Sequence, residues 1–150
     1  MSSDNKQLVQ RHLNLAWNQG AFDEISHFLA ADFHYKTTFT DEILDAPRYI
    51  EFIQVFREAM PNLMLEVELA MAEGKHVMTQ VSFFGIVEKP VYGIPASDKI
   101  ITFHAMSVWE VQGKRIISLD TLIDIAGLER QLGIQVMPHR PLKARLSSSS

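Results

Sequence analysis

The chain has 150 residues, enough for one domain that buries roughly 70% of the surface its unfolded form exposes. A net charge of −4, with 14 Lys and Arg scattered rather than clustered, argues against nucleic acid or an anionic membrane as partner. There is no Cys, which excludes a disulfide scaffold and thiolate chemistry.

The polar start Met1-Ser2-Ser3-Asp4-Asn5 lacks the charged and apolar regions of a secretory signal, and no apolar run nears the ~20 residues of a membrane-spanning helix, so a cytoplasmic location is expected. Ser3 or Asp4 can cap a first helix carrying Leu8, Val9, His12, Leu13, Ala16 and Trp17 at helical spacing, stopped by Asn18-Gln19-Gly20. A second helix is predicted from Phe22 to Ala30, and Asp32 to Lys36 reads as a strand. Asp45 offers an N-cap, with Pro47 in the first turn, to a third helix ended by Pro61-Asn62. Beyond it the apolar period falls to two. Leu63, Leu65, Val67 and Leu69 mark a strand, and Glu73-Gly74-Lys75 turns into a second from His76 to Val87. After an irregular connection through Tyr92-Gly93-Ile94-Pro95, a hairpin runs from Ile100 through Gln112-Gly113-Lys114 to Asp124. Ile125 to Gly133 is a closing helix, and residues 137–150 are expected to be a disordered tail on a domain of residues 1–136. Three helices followed by a strand meander mean an α+β fold, a curved sheet wrapped around helices.

The last strand carries two acids, Asp120 and Asp124, four residues apart among Ile, Leu and Thr, and on one face if the period stays two. Buried carboxyls have raised pKa values, as a general acid or base near neutral pH requires. Alternatively Asp124 caps the final helix through the Ala126 or Gly127 amide, with Asp120 solvated at the sheet edge. His104 alone interrupts the run from Ile100 to Met106 and could exchange a proton with an acid. A two-residue turn at Gln112-Gly113 pairs Ala105 with Asp120 and puts His104 on the opposite face, unless one bulge reverses this. A structural histidine is the alternative. Trp17, Tyr35, Phe52, Phe56, Met78, Phe83, Met106 and Trp109 serve either as core or as the wall of an apolar pocket. The six His have no metal-ligand spacing, and phosphate loops and dinucleotide fingerprints are missing.

Five segments together, in their order and spacing, resemble the SnoaL-like polyketide cyclases and their ester cyclase relatives in the nuclear transport factor 2-like superfamily. They are Ala16 to Asp23, Phe56 to Leu63, Ile94-Pro95-Ala96, Gly113 to Asp124 and Gln131-Leu132-Gly133. The resemblance spans Val9 to Gly133. It implies a cone in which three N-terminal helices and a curved mixed or antiparallel sheet enclose an apolar pocket, and a homodimer formed through the sheet. It also implies intramolecular aldol-type cyclisation or isomerisation of a small apolar carbonyl or polyketide-like molecule, with an acid near the sheet's end and no cofactor or metal. By position the matching acids are Asp120 and Asp124, and Trp17 stands where cyclase relatives place a pocket-lining aromatic; on this reading Asp120 is the acid/base, with Asp124 or His104 tuning it. Asp120 stands where many relatives have Trp, and the segment from Gly85 to Pro90 replaces a Gly-Thr-containing one. The reading from another class is a non-catalytic small-molecule-binding or dimerisation module on the same fold. Acids turned outward favour that reading, whereas Asp120 on the pocket floor favours catalysis. Epoxide-hydrolase-like water addition would need an Asp-Arg-Asp relay, and Arg115 lies at the turn.

Overall fold

The computed structural model describes residues 2–136. Helix α1 (Ser2–Leu13) continues without a break into a π-helical turn, Asn14–Gln19, which ends at Gly20 in the left-handed conformation with φ of 64°. The wider turn rotates Leu15, Ala16 and Trp17 into the interior. Two clamps fix it there. The Asn18 side chain accepts from the Leu65 amide at 2.7 Å and donates to the Leu65 carbonyl at 3.0 Å, and Arg57 donates to the Trp17 carbonyl. Gly20 is required because a Cβ there would lie 2.8 Å from the Arg57 guanidinium.

A short helix, α2 (Phe22–Ser26), leads into strand β1 (Leu29–Thr37), β2 (Thr40–Leu44) and helix α3 (Ala46–Ala59), whose N-cap Asp45 accepts from the Arg48 amide at 3.1 Å. The second helix is therefore shorter than its apolar spacing suggests, since Leu29 and Ala30 belong to β1. Ile25, Phe28 and Leu29 suit either structure, and pairing of Leu29 with Ile116 decides it. Strand β2 was not expected from the sequence: three of its five residues are exposed, so no alternating pattern marks it. Strands β3 (Met64–Glu73), β4 (His76–Ile86), β5 (Ile100–Gln112) and β6 (Arg115–Ile123) form the antiparallel meander, and α4 (Ile125–Leu132) follows.

The six strands form one sheet in the order β2-β1-β6-β5-β4-β3. It is mixed, because β1 lies parallel to β6. Helix α1 packs on β3 and β4 and α3 on β1 and β2, so both cover the inner face, and the core lies between them and the sheet. No helix among the described residues is long and apolar enough to cross a membrane. The tail expected over residues 137–150 lies outside the described residues.

Asn18→Ala should lower stability by about 1–3 kcal/mol, since both backbone groups of half-buried contact at Leu65 lose their partner. Urea unfolding measures this, and a red-shifted Trp emission should accompany it as Trp17 loosens.

Candidate functional site

The β5–β6 hairpin decides which residues face the interior. Its turn is Gly113-Lys114, both with positive φ, one residue further on than the sequence suggests. Pairing starts as Gln112 with Arg115 and Val111 with Ile116, then slips by one residue, so that Glu110 meets Ser118 and Val108 meets Asp120. Across this bulge Ile116 and Leu119 both stay buried. From there on Leu119, Thr121 and Ile123 point inward, while Asp120 and Leu122 point outward.

The inward side chains enclose an aromatic cavity. Trp17 meets Phe83 edge-on at 5.0 Å, Phe83 stacks on Phe103 at 4.8 Å, and Tyr35 contacts Tyr49 at 4.8 Å and Phe52 at 5.5 Å. With Phe56, Phe39, Leu13 and Trp109 they leave a space of about 30 Å³. That holds one or two waters, where pockets for small molecules usually measure about 300–1,000 Å³. Of the expected pocket residues, Trp17, Tyr35, Phe52, Phe56, Phe83 and Trp109 line this cavity. Met78 and Met106 do not: both are exposed, at outward positions of β4 and β5 that alternate with buried residues.

One row of hydroxyl side chains crosses the apolar interior. Thr37 of β1 pairs with Thr121 of β6, Thr121 with Ser107 of β5, and Ser107 with Thr79 of β4, and all four are buried. Ser107 and Thr121 share a 2.8 Å hydrogen bond, and Thr79 accepts from the Trp109 indole at 3.0 Å. The Thr37 hydroxyl has no hydrogen-bond partner among the described residues. Beside the row stands Tyr35, whose pKa burial pushes up to about 12, opposed by the neighbouring Thr37 and Thr121 hydroxyls. Its phenol therefore stays protonated, a neutral donor and acceptor at the cavity wall.

Behind Tyr49, the Nε2 of His12 shares a 2.8 Å hydrogen bond with the Tyr49 hydroxyl, and the ring packs edge-on against Trp109. Burial lowers the His12 pKa to about 3, so the ring is neutral at any ordinary pH. Its Nδ1 finds no partner among the described residues.

The titratable candidates lie elsewhere. Asp120 is exposed on the outer face, where Lys36 and Val108 are its cross-strand neighbours, in a shallow depression shared with His34, His76, Glu110 and Ser118. His104 occupies the same face; its Nδ1 lies 2.9 Å from the Ser82 hydroxyl, which donates to Glu68. The bulge thus gives His104 and Asp120 a common face, the one turned away from the cavity. Asp124 is the N-cap of α4 and accepts from the Gly127 amide at 2.9 Å. No carboxylate is found among the residues lining the cavity, and no group of three or more His, Asp or Glu that could hold a metal exists among the described residues.

Sequence reasoning missed the hydroxyl row. Its signal was a small hydroxylic residue spaced by two from large apolar ones, as in Tyr35-x-Thr37, Val77-x-Thr79-x-Val81 and Leu119-x-Thr121-x-Ile123. Only the register aligns them.

The SnoaL-like polyketide cyclase family matches residues 7–132. The chain belongs to that family. No curated protein matches the sequence. Among solved structures, AclR from Streptomyces galilaeus is similar with a TM-score of 0.77 at 17% identity, over 98% of this chain and 95% of its own. TsrD from Streptomyces laurentii gives 0.76 at 21% identity, over 89% and 98%. An epoxide hydrolase from M. tuberculosis gives 0.69 at 18% identity, over 99% and 98%. At these identities the likeness is one of fold, the SnoaL-like and nuclear transport factor 2-like cone.

The neutral His12 makes stability depend on pH. The unfolded chain binds a proton near pH 6.5 that the folded chain refuses until about pH 3, so stability falls as pH drops through that window. Between pH 8 and 5 the loss should be about 2 kcal/mol in urea titrations. His12→Leu, whatever its effect at pH 8, should remove that slope.

Proposed function

We propose that this SnoaL-like protein binds a small, uncharged, largely apolar molecule inside its cone, oriented by hydrogen bonds to Tyr35, Thr121 and the row beside them. The observation that carries this is the composition of the cavity wall: aromatic rings, hydroxyls and no carboxylate. A charged ligand would lose its hydration there without a counter-charge, at a cost of several kcal/mol, whereas a hydroxyl or carbonyl finds donors and acceptors already in place.

Family membership supports a second reading, cofactor-independent acid/base cyclisation or isomerisation of an apolar carbonyl compound. In it the Tyr35 phenol would donate to a developing enolate oxygen. Asp120, with Asp124 or His104, would act as acid/base only if substrate reached the outer face, since all three side chains lie outside the cavity. The outward acids favour the binding reading. Epoxide opening has less support, because the Arg115 guanidinium donates to the His27 carbonyl at the far end of the hairpin.

The outer face also supports a homodimer. Met71, Met78, Met106, Val108 and Leu122 are exposed on neighbouring strands, Leu122 to 70%, and charges of both signs flank them: Lys36 beside Glu110 and Asp120. A two-fold interface must be complementary to itself, and a patch with both signs around an apolar centre meets that condition.

Titration with 2-naphthol tests the binding reading, with 2-naphthoate as its charged counterpart. Naphthol should bind and naphthoate should not. Tyr35→Phe and Thr121→Val should each weaken naphthol by about 3–10-fold, the worth of one hydrogen bond, while Asp120→Asn leaves it unchanged. Equal binding of both compounds, or loss on Asp120→Asn alone, would overturn the reading. Sedimentation should show a dimer that Leu122→Lys converts to monomer; a monomeric parent protein would refute the interface.

A further inference from the structure

A cavity of about 30 Å³ cannot admit a molecule the size of naphthol, so the proposed ligand needs space beyond it. The connection between β4 and β5 packs one side chain, Tyr92, on three of the cavity-lining rings without lining the cavity itself. Val91 and Ile94 exchange backbone hydrogen bonds of 3.0 and 2.8 Å around Tyr92 and Gly93, whose φ values are 46° and 83°. This is a two-residue turn with both central residues left-handed, a geometry that favours Asn-Gly. At the first position a tyrosine is strained, at a cost of about 1–2 kcal/mol.

The tyrosine ring is held in place by aromatic contacts. It stacks on Phe56 at 5.5 Å with only 10° between the planes, and lies 5.1 Å from Phe52 and 5.7 Å from Phe39. All three phenylalanines line the cavity, yet Tyr92 is itself 38% exposed. The ring therefore spans the distance from cavity wall to solvent. Among the described residues the charges acting on its phenol are those of Glu51 and Arg48 of α3.

The backbone beneath it is fixed. Val91 and Ile94 are buried, and Gly93 lies so close to the chain's last described turn that a Cβ would sit 2.4 Å from the Val136 carbonyl. The turn's backbone is thus anchored, while the Tyr92 side chain is held by its ring contacts.

We propose that the cage of Phe39, Phe52 and Phe56 is a subsite for an uncharged planar aromatic ring of the bound molecule, and that Tyr92 occupies it as a stand-in until the ligand displaces it. This rests on the binding reading above. The geometry of Tyr92 on Phe56, parallel and open to solvent on one side, is that of a stacked aromatic ligand. The displaced ring loses those contacts, so the protein's own side chain competes with the ligand and selects for ring size.

Stopped-flow fluorescence with 2-naphthol and the three-ring 2-anthrol tests this. Tyr92→Asn installs the residue pair the turn prefers and removes the plug. Its affinity for 2-naphthol should rise by about five- to tenfold, the equivalent of one aromatic stacking contact, with faster association and a larger gain for 2-anthrol. Tyr92→Phe keeps the plug and should behave as the parent protein. If thermal melting shows that the Asn variant does not fold, Tyr92→Gly, which also accepts positive φ, replaces it. Unchanged or weaker binding by the plug-free variant, with Tyr35→Phe and Thr121→Val still weakening naphthol, would overturn the subsite and leave the binding reading standing. Failure of parent and variant alike to bind either compound would overturn both.

Discussion

Between the pairs Val111–Ile116 and Glu110–Ser118 the β5–β6 hairpin takes up one extra residue, and the side-chain order of the rest of β6 follows from it. Because strand side chains alternate, a slip of one residue exchanges the two faces. Here it brings Leu119, Thr121 and Ile123 to the interior and puts Asp120 beside Lys36 on the outside. A carboxylate at position 121 would have faced Tyr35 and Ser107 across the cavity. The slip is held from both sides, by burial of Ile116 and Leu119 and by pairing of β1 with β6 in parallel.

The interior combines two kinds of surface that are seldom both at rest. The aromatic rings pack closely enough to leave almost no free volume, which suits stability. The hydroxyl row crosses them, placing buried hydroxyls beside the Tyr35 phenol where a bound hydroxyl or carbonyl would find hydrogen-bond partners. Around the mouth, a strained tyrosine is kept by stacking alone. The π-helical turn, with its Asn18 and Arg57 clamps, positions Trp17 against the same Phe52 and Phe56.

Catalysis by the family's acid/base route needs a proton acceptor in contact with the substrate. In this chain Asp120, His34, His76 and His104 lie on the outer face, and His12, buried among the described residues, is held neutral behind Tyr49. The same outer face carries the exposed methionines and leucine that support self-association, so its charged groups take part in any contact made there. Fold and function are thus separable: the cone provides an enclosed space, and the side chains at a few inward positions determine what chemistry it can do.

The sequence by itself determined the α+β class, the meander from β3 to β6, the N-cap at Asp45 and the family. Each is written in local periodicity, in capping residues or in motifs whose spacing survives without knowledge of contacts. It did not reveal β2, whose exposed edge position leaves no alternation, or the parallel pairing that makes the sheet mixed and converts Leu29 from helix to strand. Nor did it reveal which face Asp120, Met78 and Met106 take. The bulge at Ile117 has no signature among Ile116, Ile117 and Ser118, and a single inserted residue inverts every inference drawn from alternation beyond it. Only the tertiary structure could align Thr37, Thr121, Ser107 and Thr79 into one row, because they lie on four strands and meet through register, which depends on the packing of the whole sheet against α1 and α3.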